Sequence, residues 1–195
     1  MWDQRYDTPE YVYGTEPNRY LVSAAHHIPP GRVLSLGEGE GRNAVFLASL
    51  GYDVTGVDSS GVGLAKAREL ALSRGVRIST VVADLADLII EPRTWEGIVS
   101  IFCHLPSQVR QKVHAAVVEG LKPGGVFILQ SYGTRQLEYG TGGPKSPDML
   151  VSLDDLRREL PELRLIHAVG QEELVVEGDL HTGLAHVVQV VGMKR

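Results

Sequence analysis

Apolar residues along the chain alternate between short continuous runs and stretches where they recur at helical spacing. Val33–Leu36 is a buried-strand run, and Arg42–Leu50 follows as a helix with Ala44, Leu47 and Ala48 on one face and Gly51 as its stop. Tyr52–Val57 reads as a second strand. Val62–Arg74 repeats the helical pattern through Leu64, Ala67, Leu70 and Ala71 and ends at Gly75. Val76–Ala83 is a third strand, and Trp95–Phe102, with Ile98, Val99 and Ile101, a fourth. Ser107–Leu121 is a helix, Lys122-Pro123-Gly124-Gly125 a turn, and Val126–Ser131 a fifth strand. Strands alternating with helices imply a parallel sheet covered on both faces.

The rhythm changes after residue 132. Gly133–Pro147, rich in Gly, Pro and Thr, is expected to be a loop. A short helix follows, with Ser152 as N-cap and Asp155 in the capping-box position. Leu163–Glu177 and Leu184–Gly192 are long strands with no helix between them, so they pair as an antiparallel hairpin. Its turn is expected around Gly178-Asp179, with His181 in the connection. The expected fold is α/β: a Rossmann-like, doubly wound, seven-stranded sheet with five parallel strands followed by a C-terminal antiparallel hairpin. One domain covers residues 1–195. It divides into an N-terminal covering segment and helix (1–30), a βαβ core (31–132), a lid-like loop (133–151), and a helix with the hairpin (152–195).

The chemistry concentrates between the first strand and the first long helix, where Gly37-Glu38-Gly39-Glu40-Gly41 forms a tight turn. Glycine at alternate positions lets a ligand approach the backbone, and the helix start offers free N–H groups. Asp58 ends the second strand seventeen residues after Gly41, about the interval of roughly 20 at which a βαβ unit places an acid on ribose hydroxyls. Asp84 ends the third strand, where an adenine amine needs an acceptor. One turn and two acids describe a nucleoside pocket. Gly39-x-Gly41-x-x-Ala44 also satisfies the dinucleotide fingerprint, so a nicotinamide-dependent oxidoreductase stands as an alternative. The tight glycine spacing, Asp84 and the C-terminal hairpin oppose it.

The chain has 195 residues, 43% hydrophobic, with a formal net charge of -5. That balance argues against nucleic acid as substrate. Cys103 alone excludes an intrachain disulfide framework and fits a reducing compartment. Residues 1–6 lack an apolar signal core, and no segment approaches the roughly 18 apolar residues of a membrane span. A cytoplasmic protein acting as monomer or homodimer, with no membrane and no nucleic-acid partner, is the expectation. No His, Cys or carboxylate set has metal-ligand spacing.

The glycine turn, both acids, Leu121-Lys122-Pro123-Gly124-Gly125 and the hairpin, in that order, resemble a class I S-adenosylmethionine-dependent methyltransferase. More closely, Trp2–Tyr6, Tyr13-Gly14-Thr15-Glu16-Pro17-Asn18 and Gly41-Arg42-Asn43 resemble the small tellurite-resistance-type and thiopurine-type methyltransferases. The resemblance implies S-adenosylmethionine as cofactor, with S-adenosylhomocysteine as product. It places Gly37, Glu38 and Gly39 on the methionine part, with Gly41 and Asn43 beside them. Asp58 falls on the ribose, with Ser59 and Ser60 capping the next helix near it, Asp84 with Leu85 falls on the adenine, and Phe102 completes the set. It also implies that the opening tryptophan segment folds over the cofactor. One departure stands out: Ser35 occupies the position where the class commonly has an acid, and Glu38 is the candidate substitute.

Methyl transfer needs a nucleophile held about 3 Å from the methyl group, and a base only when that nucleophile carries a proton. His104, after the fourth strand, is the leading base or substrate contact, set against the alternative of a hydrogen-bonded loop histidine. Tyr132 is the second catalytic candidate. Arg5, Tyr6, Tyr13 and Tyr139 are the substrate candidates: the rings favour a sulfonium and Arg5 an anion. The bland alternative is ordinary packing of an N-terminal segment. Cys103 reads as buried and inert. Gly140–Ser146 lacks the glycine before lysine of a phosphate loop. The expected acceptor is a small molecule, such as a soft anion or a thiol. A non-catalytic nucleoside-binding module remains the third reading.

Overall fold

The computed structural model describes residues 2–178 and 181–195. Seven strands are present: β1 Arg32–Leu36, β2 Asp53–Asp58, β3 Ser79–Val82, β4 Trp95–Ile101, β5 Leu121–Tyr132, β6 Leu163–Glu177 and β7 His181–Lys194. The helices are α1 Trp2–Tyr6, α2 Arg19–Ala24, α3 Arg42–Ser49, α4 Gly61–Ser73, α5 Ser107–Gly120 and α6 Leu153–Glu159. The strands form one sheet in the order β3-β2-β1-β4-β5-β7-β6. The first five are parallel, β7 is antiparallel to β5, and β6 pairs antiparallel with β7 along their whole length. This is the expected α/β class and strand arrangement.

Two-residue alternation along the strands divides the core. Leu34, Leu36, Ile98, Phe127 and Leu129 face α5 and α6, packing with Val113, Val117, Leu156 and Leu160. Val33, Val54, Val99, Val126 and Ile128 face the other way, onto Leu21, Ala24, Ala44 and Leu47 of α2 and α3. The sheet order reverses between β1 and β4, so the strand ends diverge there and leave a crevice at their carboxyl side.

Several boundaries differ from expectation. The third strand shortens to Ser79–Val82 because it is an edge strand with both Val81 and Val82 exposed. Lys122–Gly125 is absorbed into β5 as an irregularity opposite Trp95 and Gly97, with Gly124 at φ 79°. The loop after β5 holds two short 3-10 turns, Thr134–Glu138 and Pro147–Met149. The second hairpin strand starts at His181 rather than Leu184, and Asp179 of the expected turn lies outside the described residues. The capping box of α6 forms as read: Asp155 N donates to Ser152 Oγ at 3.1 Å, and Ser152 N to Asp155 Oδ2 at 3.0 Å.

Gly41 sets how close α3 and α4 approach. Its φ is 96°, and a Cβ there would lie 2.6 Å from Ala67 Cα in the middle of α4. Left-handed strain and an immovable backbone neighbour add, so Gly41→Ala is expected to cost about 2 to 4 kcal/mol. A fall in the urea midpoint checks this; an unchanged midpoint contradicts it.

Candidate active site

A cavity of about 710 Å³ opens at the carboxyl ends of β1, β2 and β4. The turn after β1 forms its floor. Gly37 and Gly39 have φ of 63° and 61°, which bends the chain sharply enough to present backbone to the cavity. Asp58 fixes the turn to the neighbouring strand: Gly39 N donates to its Oδ2 at 2.8 Å and Ser60 N to its Oδ1 at 2.8 Å. Burial raises the Asp58 carboxyl above its ordinary value, and these backbone donors act against that shift.

Glu38 lies against Ser35, the position of the departure. Its side chain turns back beneath the floor, where Ser35 Oγ donates to Oε2 and Ala44 N donates to Oε1 at 2.9 Å. The carboxyl missing from the strand is thus delivered from the turn, at the start of α3, where negative charge is favoured. It is 7% exposed, and burial lifts its pKa from 4.5 to about 7. The same placement counts against the dinucleotide reading, because the helix N–H that would face a pyrophosphate is already committed to Glu38.

The N-terminal segment roofs this floor. Tyr6 is buried over the turn; a Cβ on Gly39 would meet its hydroxyl oxygen at 2.7 Å. Trp2 stacks on Tyr6 at 5.8 Å, and Tyr13 meets it edge-on at 6.4 Å. Arg5 lies over the Trp2 ring at 4.8 Å and donates to Tyr13 Oη at 3.0 Å. A lysine on α4 holds the roof down: Lys66 Nζ donates to the carbonyls of Tyr6, Thr8 and Glu10 at 3.3, 3.0 and 2.6 Å and pairs with Glu40. Glu40 Oε2 in turn accepts from Val12 N at 2.8 Å. The segment is therefore tied to both the glycine turn and α4.

The opposite wall comes from the end of β4. Phe102 has φ 50°, a sparsely populated conformation for an aromatic residue. The bend turns Cys103 inward against Gly37, where burial pushes its thiol up to about 12, an inert state. His104 lines the cavity, stacked at 5.3 Å on Tyr132, with Nδ1 3.5 Å from Ser131 Oγ. Gly142–Lys145 and Met149, from the loop after β5, close this side.

The structure brings most of the sequence-derived candidates to the cavity: Gly37, Glu38, Gly39, Asn43, Asp58, Ser59, Asp84, Leu85, Phe102 and His104, with Arg5, Tyr6 and Tyr13 above them. Four do not line it. Gly41 packs on Ala67. Ser60 is consumed as the N-cap of α4, accepting from Gly63 N at 3.0 Å and donating to Asp3 Oδ1 at 2.5 Å. Tyr132 is fully buried behind His104 and Phe102. Tyr139 points to the outer surface, donating to Glu172 Oε1 at 2.6 Å.

Sequence reasoning missed the polar hub beneath the site. Asn18 Nδ2 donates to Gln130 Oε1 and Glu177 Oε1, each at 2.6 Å, and its N–H donates to Asn43 Oδ1 at 3.0 Å. Arg42 Nη2 binds Glu177 Oε2 at 2.5 Å. Asn18, Arg42 and Asn43 lay within motifs already singled out; Glu177 carried no local signal. Among the described residues no group of three His, Cys, Asp or Glu is arranged to hold a metal, and no helix is long and apolar enough to cross a membrane.

Residues 33–125 match the model of a methyltransferase domain. Over 65 residues the chain is 42% identical to the probable S-adenosyl-L-methionine-dependent methyltransferase TehB of Haemophilus influenzae; the match covers 33% of this chain and only 23% of that relative. Over 152 residues it is 24% identical to the 2-heptyl-1-hydroxyquinolin-4(1H)-one methyltransferase of Mycobacteroides abscessus, covering 76% of this chain and 65% of that one. The solved structure of H. influenzae TehB superposes with a TM-score of 0.76 at 21% identity, covering all of this chain and 66% of TehB. An enzyme that converts a disulfide bond into a thioacetal group during echinomycin biosynthesis also gives 0.76, at 22% identity over 99% of this chain and 90% of that one.

The buried Glu38 carboxyl makes a pH prediction. Its folded pKa, about 7, exceeds the ordinary 4.5, so its contribution to stability is present in full below the lower value and is lost as pH rises through the higher. Glu38→Gln mimics the protonated form. The variant's melting temperature is expected to gain on the wild type as pH rises from 4.5 to about 7 and to hold that gain above it, and parallel curves would contradict the assignment. Residues 33–125 thus match a methyltransferase domain, and in fold the whole chain resembles TehB, with its seven strands in the order β3-β2-β1-β4-β5-β7-β6.

Proposed function

We propose that the protein transfers a methyl group from S-adenosylmethionine to a small-molecule acceptor, a thiol or a soft anion. The observation that carries this reading is the Asp58 carboxylate. Two backbone N–H groups hold it at the end of β2, facing the cavity beside the Gly37–Gly39 floor. A ribose needs this acceptor at this place. Gly37 and Gly39 offer the approach for the methionine part, Glu38 the buried carboxyl beneath it, and Asp84 with Leu85 the adenine end. The cofactor supplies the methyl group: an acceptor lone pair displaces it from the sulfonium, and S-adenosylhomocysteine is left.

The chain's own contribution is orientation, exclusion of water and handling of one proton. Trp2, Tyr6 and Tyr13 present ring faces suited to a sulfonium from above. His104 takes the proton of a thiol acceptor, with Tyr132 and Ser131 fixing its ring. A sulfur acceptor is supported by the likeness in fold to the protein that converts a disulfide bond into a thioacetal group during echinomycin biosynthesis.

Two variants test this separately. Asp58→Ala is expected to weaken S-adenosylhomocysteine binding by about tenfold or more, since charge-assisted hydrogen bonds are lost. Wild-type affinity there would refute the ribose role. His104→Ala is expected to lower turnover of an aryl thiol about 100-fold below the thiol's own pKa, with cofactor affinity kept and the deficit fading at higher pH. A uniform deficit across pH would make the histidine structural.

A further inference from the structure

The charges of the cavity differ in how they are held. Its carboxylates, Glu38, Glu40, Asp58 and Asp84, all belong to the β1, β2 and β3 side, and three of them are tied into the turn or the roof. Of its cations, Arg42 stands at the start of α3, Arg5 on the roof and Lys145 on the loop after β5. Arg42 is neutralised by Glu177. Among the described residues Arg5 has neutral partners, the Trp2 ring and the Tyr13 hydroxyl. Lys145 makes no hydrogen bond or ion pair among the described residues, yet it lines the cavity.

Lys145 is held in place by its loop. Gly143 packs on the buried Tyr132, so close that a Cβ would lie 2.6 Å from the ring. Ser107 N, at the start of α5, donates to Asp148 Oδ2 at 3.1 Å, and Arg110 Nη1 donates to the carbonyl of Asp148 at 3.4 Å. Arg110 is itself fixed by Glu159, to which His114 Nδ1 also bonds at 2.6 Å. The lysine therefore stands on a loop anchored at both sides of it. Lys145 is exposed at the rim, and the same cavity carries apolar lining from Phe102, Leu105, Pro144 and Met149. A cation at the mouth of a cavity that also has apolar lining suits an anion carried on an apolar body.

We infer that Lys145 selects an acceptor that carries an anionic group on an apolar, ring-sized body. The inference rests on the methyl-transfer reading. The anion pairs with the Lys145 ammonium at the mouth while the body packs on Phe102, Leu105 and Met149 and directs its nucleophile inward, toward His104. Arg5 adds a second positive charge to the roof, so the acceptor is drawn in by the local field although the whole chain is negative. A bare inorganic oxyanion would leave the apolar walls unused.

The test uses the full chain saturated with S-adenosylhomocysteine, titrated calorimetrically with 4-mercaptobenzoate and with its uncharged counterpart 4-mercaptobenzamide. Wild type is expected to prefer the carboxylate about five- to tenfold, less at high salt. Lys145→Ala is expected to abolish the preference and Lys145→Glu to reverse it, both with unchanged affinity for S-adenosylhomocysteine. Equal binding of the two thiols by wild type, binding of neither, or a preference that survives Lys145→Ala overturns the proposal. So does a loss of S-adenosylhomocysteine affinity in Lys145→Ala, which would place the lysine on the cofactor. Failure of wild type to bind S-adenosylhomocysteine at all would instead refute the methyl-transfer reading.

Discussion

The structure depends on a carboxylate brought to the start of a helix from an unusual place. Glu38 folds under its own turn and receives the Ser35 hydroxyl and the Ala44 N–H. The next strand makes room for it: Gly56 of β2 lies so close that a Cβ there would touch Glu38 Cγ at 3.0 Å. An acid on the strand would have reached this point directly. With serine there, the hydroxyl becomes a donor to this acid, and the cavity floor keeps a buried carboxyl. The cost is desolvation, visible in the raised pKa, and the helix N-terminus offsets part of it. Glu38, Asp58 and the two glycines then form one rigid unit from which the roof and wall are positioned.

Around that unit, buried polar contacts join segments distant in sequence. Lys66 and Glu40 fasten the roof to α4 and to the turn. Asn18, Arg42 and Gln130 tie the entry to α2, the start of α3 and β5 to Glu177 at the end of β6. The second network gives the C-terminal hairpin a direct link to the glycine turn. Breaking one partner would strand the other in a buried setting, which is why such pairs hold geometry more than they add stability.

The fold was legible because its signals are local. Alternating apolar runs, glycine stops after Leu50 and Arg74, and the Ser152–Asp155 capping box each specify an element without help from tertiary contacts. The cavity floor was legible for the same reason, since the turn and Asp58 are separated only by one helix and one strand. What escaped needed long-range geometry. Tyr132 was hidden by the bend at Phe102, and Tyr139 was drawn outward by Glu172. Glu177 meets Asn18 across 159 positions, a pairing no local pattern announces. Gly140–Ser146 was dismissed as a phosphate loop, yet its lysine lines the cavity.

The central claim is that this cavity holds the adenosyl sulfonium and its product rather than a dinucleotide. Calorimetric titration of the wild-type chain with S-adenosylmethionine, S-adenosylhomocysteine and NADH, in parallel, tests it most directly. Saturable one-to-one binding of the first two, with none of NADH, is the predicted result. Binding of NADH alone would contradict it and make Gly39, Gly41 and Ala44 the working fingerprint.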